Sequence, residues 1–158
     1  MSESTRGLYL EEFEVGHTYV SRERVITQAD VDAFANVSGD HNPLHTDPAY
    51  GAATIFGECV AHGALGYAAA TGLANEMGLF LGTDIAFLGC SLTYPNPLRI
   101  GAAVHLEMTP TEVRPSSSKP DRGVVTLSVK LVNAEGAAVM DSEWKIMMKR
   151  VPAMDSRA

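Results

Sequence analysis

Basic residues are scarce in this chain. Twelve Lys and Arg stand against 19 Asp and Glu, a formal net charge of −7. A surface of that sign disfavours nonspecific binding to nucleic acid or to an anionic membrane. It leaves room for a local basic patch that takes one anionic ligand. Cysteine is scarcer still. Cys59 and Cys90 are the only two, and they form no CxxC or other metal-ligand spacing. No apolar run reaches the length needed to cross a bilayer. Residues 1–7 are polar and lack the apolar core of a secretory signal. The expectation is therefore a cytoplasmic protein with reduced thiols. No internal repeat is visible. A length of 158 residues fits one domain with a full hydrophobic core. That domain is expected over 8–150, with frayed tails at 1–7 and 151–158.

What is present reads as an α+β order. The stretch 17–26 is strand-like. Thr27 then offers an N-cap, with Asp30 three residues on in a capping-box arrangement. Val31, Phe34, Ala35 and Val37 follow at helical spacing, so 28–37 is expected to be a short amphipathic helix. A second helix is expected over 61–77. It holds Ala64, Leu65, Ala68, Ala69, Ala70, Leu73 and Ala74, and no charge before Glu76. A helix apolar all round belongs in a core, here one wrapped by a curved sheet. Its glycines and alanines let other backbone approach closely. Four strands are expected over 83–94, 102–113, 123–133 and 137–149, by alternation such as Val125, Leu127, Val129 and Leu131. Residues 114–122, with two prolines and three serines, read as a flexible connection. Asn133-Ala134-Glu135-Gly136 reads as a hairpin turn.

Two segments carry candidate chemistry. The first is Ser38-Gly39-Asp40-His41-Asn42-Pro43-Leu44-His45. Asp40 and His45, five residues apart on a stiff, extended loop, can converge on one water molecule. Carboxylate and imidazole are common general acid–base groups near neutral pH. The plainer alternative is that both are turn formers or solvated groups. Asn42 is suited to orienting that pair, and His41 to facing solvent. A metal set of Asp40, His41, His45 and Asp47 is disfavoured, because adjacent residues rarely point at one centre. The second segment is Ala61-His62-Gly63 at the start of the apolar helix. Free amides at a helix N-terminus favour negative charge, and Gly63 has no side chain to block its N–H. An oxyanion site fits there; so does plain helix–sheet packing. Cys59 and Cys90 lack a nucleophile setting, and Arg99, Lys119 and Arg122 read as solvated charges. Tyr94-Pro95-Asn96-Pro97 reads as the end of a strand.

Taken together, these motifs resemble the MaoC-like family of (R)-specific enoyl-CoA hydratases and dehydratases. The resemblance rests on Thr27-Gln28-Ala29-Asp30, Phe34-Ala35, Ser38-Gly39-Asp40, Asn42-Pro43-Leu44-His45, Asp47, Phe56-Gly57 and Ala61-His62-Gly63. It continues through Tyr94, Pro97, Ile100 and Gly101. It implies a hotdog fold, with a long central helix wrapped by an antiparallel sheet. It implies a homodimer or higher homo-oligomer with sites between subunits, an acyl-CoA substrate, and no metal or organic cofactor. Asp40 and His45 become the hydratase dyad. Asn42, Ala61, His62 and Gly63 become substrate-binding, with the Gly63 amide on the thioester oxygen. Gly51 stands where the family often has Ala, a change that looks mild; Ala64 and Ala102-Ala103 also depart from the common pattern. A hotdog thioesterase using Glu76, and a non-catalytic acyl-CoA-binding subunit, are the alternatives.

Overall fold

The computed structural model describes residues 6–153. After a 3-10 turn at Leu10–Glu12 come two short strands, β1 (Tyr19–Val20) and β2 (Arg24–Val25). Three helices follow: α1 (Gln28–Ser38), α2 (Pro43–Thr46) and α3 (Pro48–Ala52). The long helix α4 (Gly63–Glu76) leads into four strands, β3 (Asp84–Thr93), β4 (Ala103–Pro115), β5 (Arg122–Asn133) and β6 (Ala138–Lys149). All six strands form one antiparallel sheet, in the order β1-β4-β5-β6-β3, with β2 also on β4. The α+β class is as expected.

The sheet curls round α4. Leu65, Ala69, Leu73 and Ala74 of the helix share one core with Leu106, Leu127, Leu131 and Met140 of the strands. Burying each such leucine contributes roughly 1.5–3 kcal/mol. Gly66 serves that packing directly. A Cβ there would stand 3.1 Å from the Leu98 side chain, a tight contact that Leu98 would have to relieve by a few tenths of an ångström.

Three local expectations need correcting. The strand over 17–26 is broken into two. Ser21 Oγ accepts the Leu106 N–H at 2.8 Å, a ladder position that a backbone carbonyl would otherwise fill. The connection at 114–122 is tighter than composition suggests. β4 and β5 pair out to Pro115 and Gly123, and Ser116 Oγ accepts the Lys119 N–H at 3.1 Å to close the hairpin. The helix α4 is not enclosed on every side: within this chain Ala64, Ala68, Thr71 and Asn75 form an exposed stripe.

Most of the two expected tails lies outside the described residues. Within them, Gly7 N–H donates to Leu81 O at 2.7 Å, and Val151 N–H to a Glu11 carboxylate oxygen at 3.0 Å.

Candidate active site

The loop between α1 and α2 is built by side chains that take over backbone partners. Gly39 ends α1 in the left-handed conformation (φ 78°), which glycine adopts without steric penalty. Its N–H donates to Ala35 O at 2.9 Å. Ser38 Oγ then accepts the Asp40 N–H at 3.1 Å, and the Asp40 carboxylate accepts the Asn42 N–H at 3.2 Å. Asn42 Oδ1 caps the next helix by accepting the Leu44 N–H at 3.0 Å, with Pro43 at its first position. Asp47 caps α3 in the same way, through the amides of Ala49 and Tyr50. The segment expected to be extended thus holds the short helix α2, and His45 rides on it.

A second strip of chain closes on this loop. Val60 N–H donates to Leu44 O at 3.3 Å, and Ala61 N–H to Leu98 O at 2.8 Å. The His45 ring donates from Nδ1 to Val60 O at 2.7 Å, since a carbonyl can only accept. In the neutral ring, Nε2 is then the atom with a free lone pair. His62 follows as the N-cap residue of α4, and Gly63 as its first helical residue. The Gly63 N–H is one of the first helix amides, which have no partner inside the helix. Donor atoms of Asp40, His45 and His62 all lie within 4.8 Å of one another. This is a different trio from the metal set considered on sequence grounds. The two imidazoles face each other at a ring separation of 3.8 Å and a tilt of 31°, so their in-plane lone pairs run alongside rather than converge.

The structure brings together Asp40, His45, His62 and Gly63. Asp40 is exposed, His45 and Gly63 are half-buried, and His62 is only 2% exposed. Ala61 is buried as well, with its amide committed to Leu98. Asn42 sits beside Asp40 with its side-chain oxygen used as a cap. A cavity of about 290 Å3 opens beside His45 and Gly63. Leu44, Phe56, Tyr94 and Leu98 make much of its mostly apolar wall.

Tyr94, whose segment reads in sequence as the end of a strand, forms part of the cavity wall. Its ring covers Gly63 so closely that a Cβ on Gly63 would stand 2.9 Å from it. Nothing in Tyr94-Pro95-Asn96-Pro97 announces this, because Tyr94 and Gly63 meet only through the fold. Partial burial raises the Tyr94 phenol above its ordinary pKa, and nearby Cys90 acts in the same direction. Tyr67 is raised likewise, by burial first and then by its hydrogen bond to Cys90. Both phenols stay neutral at physiological pH. Cys90 is exposed and Cys59 half-buried, both as free thiols. Arg99 pairs with Glu58, and Glu76 is held by Arg22 through two contacts of 2.6 and 2.8 Å.

The family model described as the MaoC like domain matches residues 12–133. The chain belongs to the MaoC-like dehydratase family. It is 34% identical over 115 residues to an (R)-specific enoyl-CoA hydratase from Aeromonas caviae, a match covering 73% of this chain and 81% of that one. The crystal structure of a MaoC-like dehydratase from Rhodospirillum rubrum superposes with a TM-score of 0.84 at 33% identity, covering 93% of this chain and all of that one. A Mycobacterium tuberculosis protein described as a double hotdog superposes with a TM-score of 0.82 at 19% identity, over 94% of this chain and 46% of that one. That last likeness speaks for the fold alone: MaoC-like proteins share the hotdog fold, and this chain has it. The relatives named as hydratases and dehydratases are hydro-lyases. Among the described residues, no helix is long and apolar enough to cross a membrane.

Proposed function

We propose that this chain catalyses the reversible hydration of a 2-enoyl-CoA thioester to an (R)-3-hydroxyacyl-CoA. The observation that carries it is the meeting of Asp40 and His45 beside an apolar cavity that also reaches Gly63. Asp40 accepts a proton from a water molecule, whose oxygen forms the new bond to Cβ. His45 holds that water through its Nε2 lone pair; the proton then passes from Asp40 through His45 Nε2 to Cα on the same face, which restores both side chains. The C2–C3 double bond is lost, and atoms and charge balance over the cycle. As the water attacks, charge builds on the thioester oxygen. The Gly63 N–H at the positive end of α4 stabilises that charge, a kind of contact whose removal typically costs about 3 kcal/mol. Asn42 keeps the loop in shape by capping α2, and Ala61 sets the approach to the helix.

The catalytic unit is one domain over 8–150, working as a homodimer. Strand β3 supports this. Among the described residues it pairs only with β6, and most of its ten residues are exposed, including Ile85, Phe87 and Leu88. A long apolar edge strand invites another strand to pair with it. A second copy laid against β3 would also reach the exposed stripe of α4. The acyl-CoA requirement and the two free thiols favour a cytoplasmic setting.

The thioesterase alternative needs a carboxylate near the thioester. Glu76 is thirteen residues along α4 from Gly63, about 20 Å at the helical rise, and is tied to Arg22. The alternative of an inactive subunit is weakened by the presence of both Asp40 and His45. Incubation with a short 2-enoyl-CoA tests the assignment. Loss of the conjugated-thioester absorbance with formation of the (R)-3-hydroxy product is expected. Release of free CoA thiol without a hydroxyacyl product would favour the thioesterase. Binding without turnover would favour the inactive subunit.

A further inference from the structure

His62 makes contact with both members of the candidate dyad, yet it is almost wholly shielded from the cavity. Its ring contacts those of Phe34 of α1 and His45 of α2, with centroids 4.9 and 3.8 Å away. Its Nε2 lies 2.9 Å from the backbone oxygen of Asp40. The other hydrogen bonds described for Asp40 run to Ser38 and Asn42, its sequence neighbours. The bond from His62 is the one that ties Asp40 to a distant element.

The partners also settle the tautomer. Asp40 O can only accept, so Nε2 carries the proton. In the neutral ring Nδ1 then bears a lone pair, and that atom is buried with no partner among the described residues. A buried nitrogen without a partner carries a desolvation penalty. A phenylalanine in the same pocket would avoid that penalty and keep the ring contacts. It would lose only the bond to Asp40. The polar ring therefore has a purpose other than packing.

We infer that His62 is a positioning residue for hydration: it holds the Asp40 backbone through Nε2–H and the His45 ring through close ring contact. It does so without touching the substrate. The inference rests on the hydratase reading for its consequence in turnover, and on geometry alone for its tautomer. A displacement of about 1 Å in a catalytic group can lower a rate by about 100-fold. Two partial mimics separate the two contacts. Gln places an amide donor near the position of Nε2 but has no ring. Phe keeps the ring and has no donor.

The test is steady-state hydration of a short 2-enoyl-CoA by the full chain and by His62→Ala, His62→Gln and His62→Phe. It is joined to nitrogen-15 spectra of the imidazoles in the unsubstituted protein. We expect His62→Ala to lower kcat by about 100-fold with KM changed by less than about threefold. His62→Gln and His62→Phe should each recover part of that loss. The spectra should show one histidine with pyrrole-type Nε2 and pyridine-type Nδ1, its resonances lost in the Gln variant. Wild-type kcat in folded His62→Ala would overturn the inference. So would a loss seen in KM alone, or a His62 that carries its proton on Nδ1. If the Ala variant does not fold, the Gln and Phe variants and the spectra decide. Absence of hydration by the unsubstituted protein would sink the hydratase reading, while the tautomer would still stand or fall by the spectra.

Discussion

Single residues decide the shape of the site more than their chemistry suggests. Gly51 is the clearest case. As one family departure among several it looks mild in sequence. In the fold, a Cβ at this position would stand 2.7 Å from the backbone carbon of Glu58 and press on Cys59. Backbone at 58–60 has little room to retreat, because Val60 is tied to both Leu44 and His45. Gly51→Ala should therefore push the 58–60 segment off the loop. Overpacking of this kind typically costs about 1–3 kcal/mol. A lowered denaturation midpoint in urea, with reduced hydration at temperatures where the chain is folded, is the expected result. An unchanged midpoint would show that the segment can give way.

At the scale of elements, α1 and α4 are readable in the sequence, whereas the short helices α2 and α3 are not. Thr27 and Asp30 mark the start of α1 in the sequence, and the structure has the full reciprocal cap: Thr27 Oγ1 accepts the Asp30 N–H at 3.1 Å, and Asp30 accepts the Thr27 N–H at 2.9 Å. This cap titrates. The Asp30 carboxyl lies below its ordinary pKa, chiefly through the Thr27 N–H and further through the Thr27 hydroxyl and Arg24. A depressed folded value means that the stabilisation is present above the unfolded value of 3.8 and is lost as pH falls through the folded value. Glu12 and Glu76, lowered first by Arg6 and Arg22, act in the same direction. Thermal melts followed from roughly pH 6 to pH 3 should show falling stability at the acid end. The fall should be shallower in Asp30→Asn. A steeper fall in that variant would contradict the assignment.

Elsewhere, what sequence could and could not say follows from range. Alternation reads β4, β5 and β6 nearly to their ends because each side chain's face is a local property. The break between β1 and β2 was not legible, since it depends on Ser21 reaching Leu106 across the sheet. The same holds for the site. Asp40 and His45 stand close in the chain, so spacing and turn residues make them candidates. Tyr94 over Gly63, and His62 behind His45, are contacts between segments far apart in sequence. No periodicity encodes them.

For the whole molecule, the uncovered β3 edge and the exposed side of α4 belong together. Each is apolar or small-residue surface. The proposed dimer would cover both. Leu88, 49% exposed on β3, is a suitable place to interrupt it. A lysine on an edge strand opposes strand addition. Light scattering of the unsubstituted protein should give about twice 16.9 kDa. Leu88→Lys should shift the population toward the single-chain mass and lower activity with it. A monomeric unsubstituted protein with full activity would remove the dimer from the account.

On the proposed function, a carboxylate and an imidazole, brought together between α1 and α4, add water to an enoyl thioester. Turnover of Asp40→Asn tests it most directly, because that change keeps the side-chain shape and removes the base. The expected result is a fall in kcat of at least about 100-fold, the lower end of what a general base contributes, with the melting temperature near that of the unsubstituted chain. Hydration within a few-fold of the unsubstituted rate would contradict it.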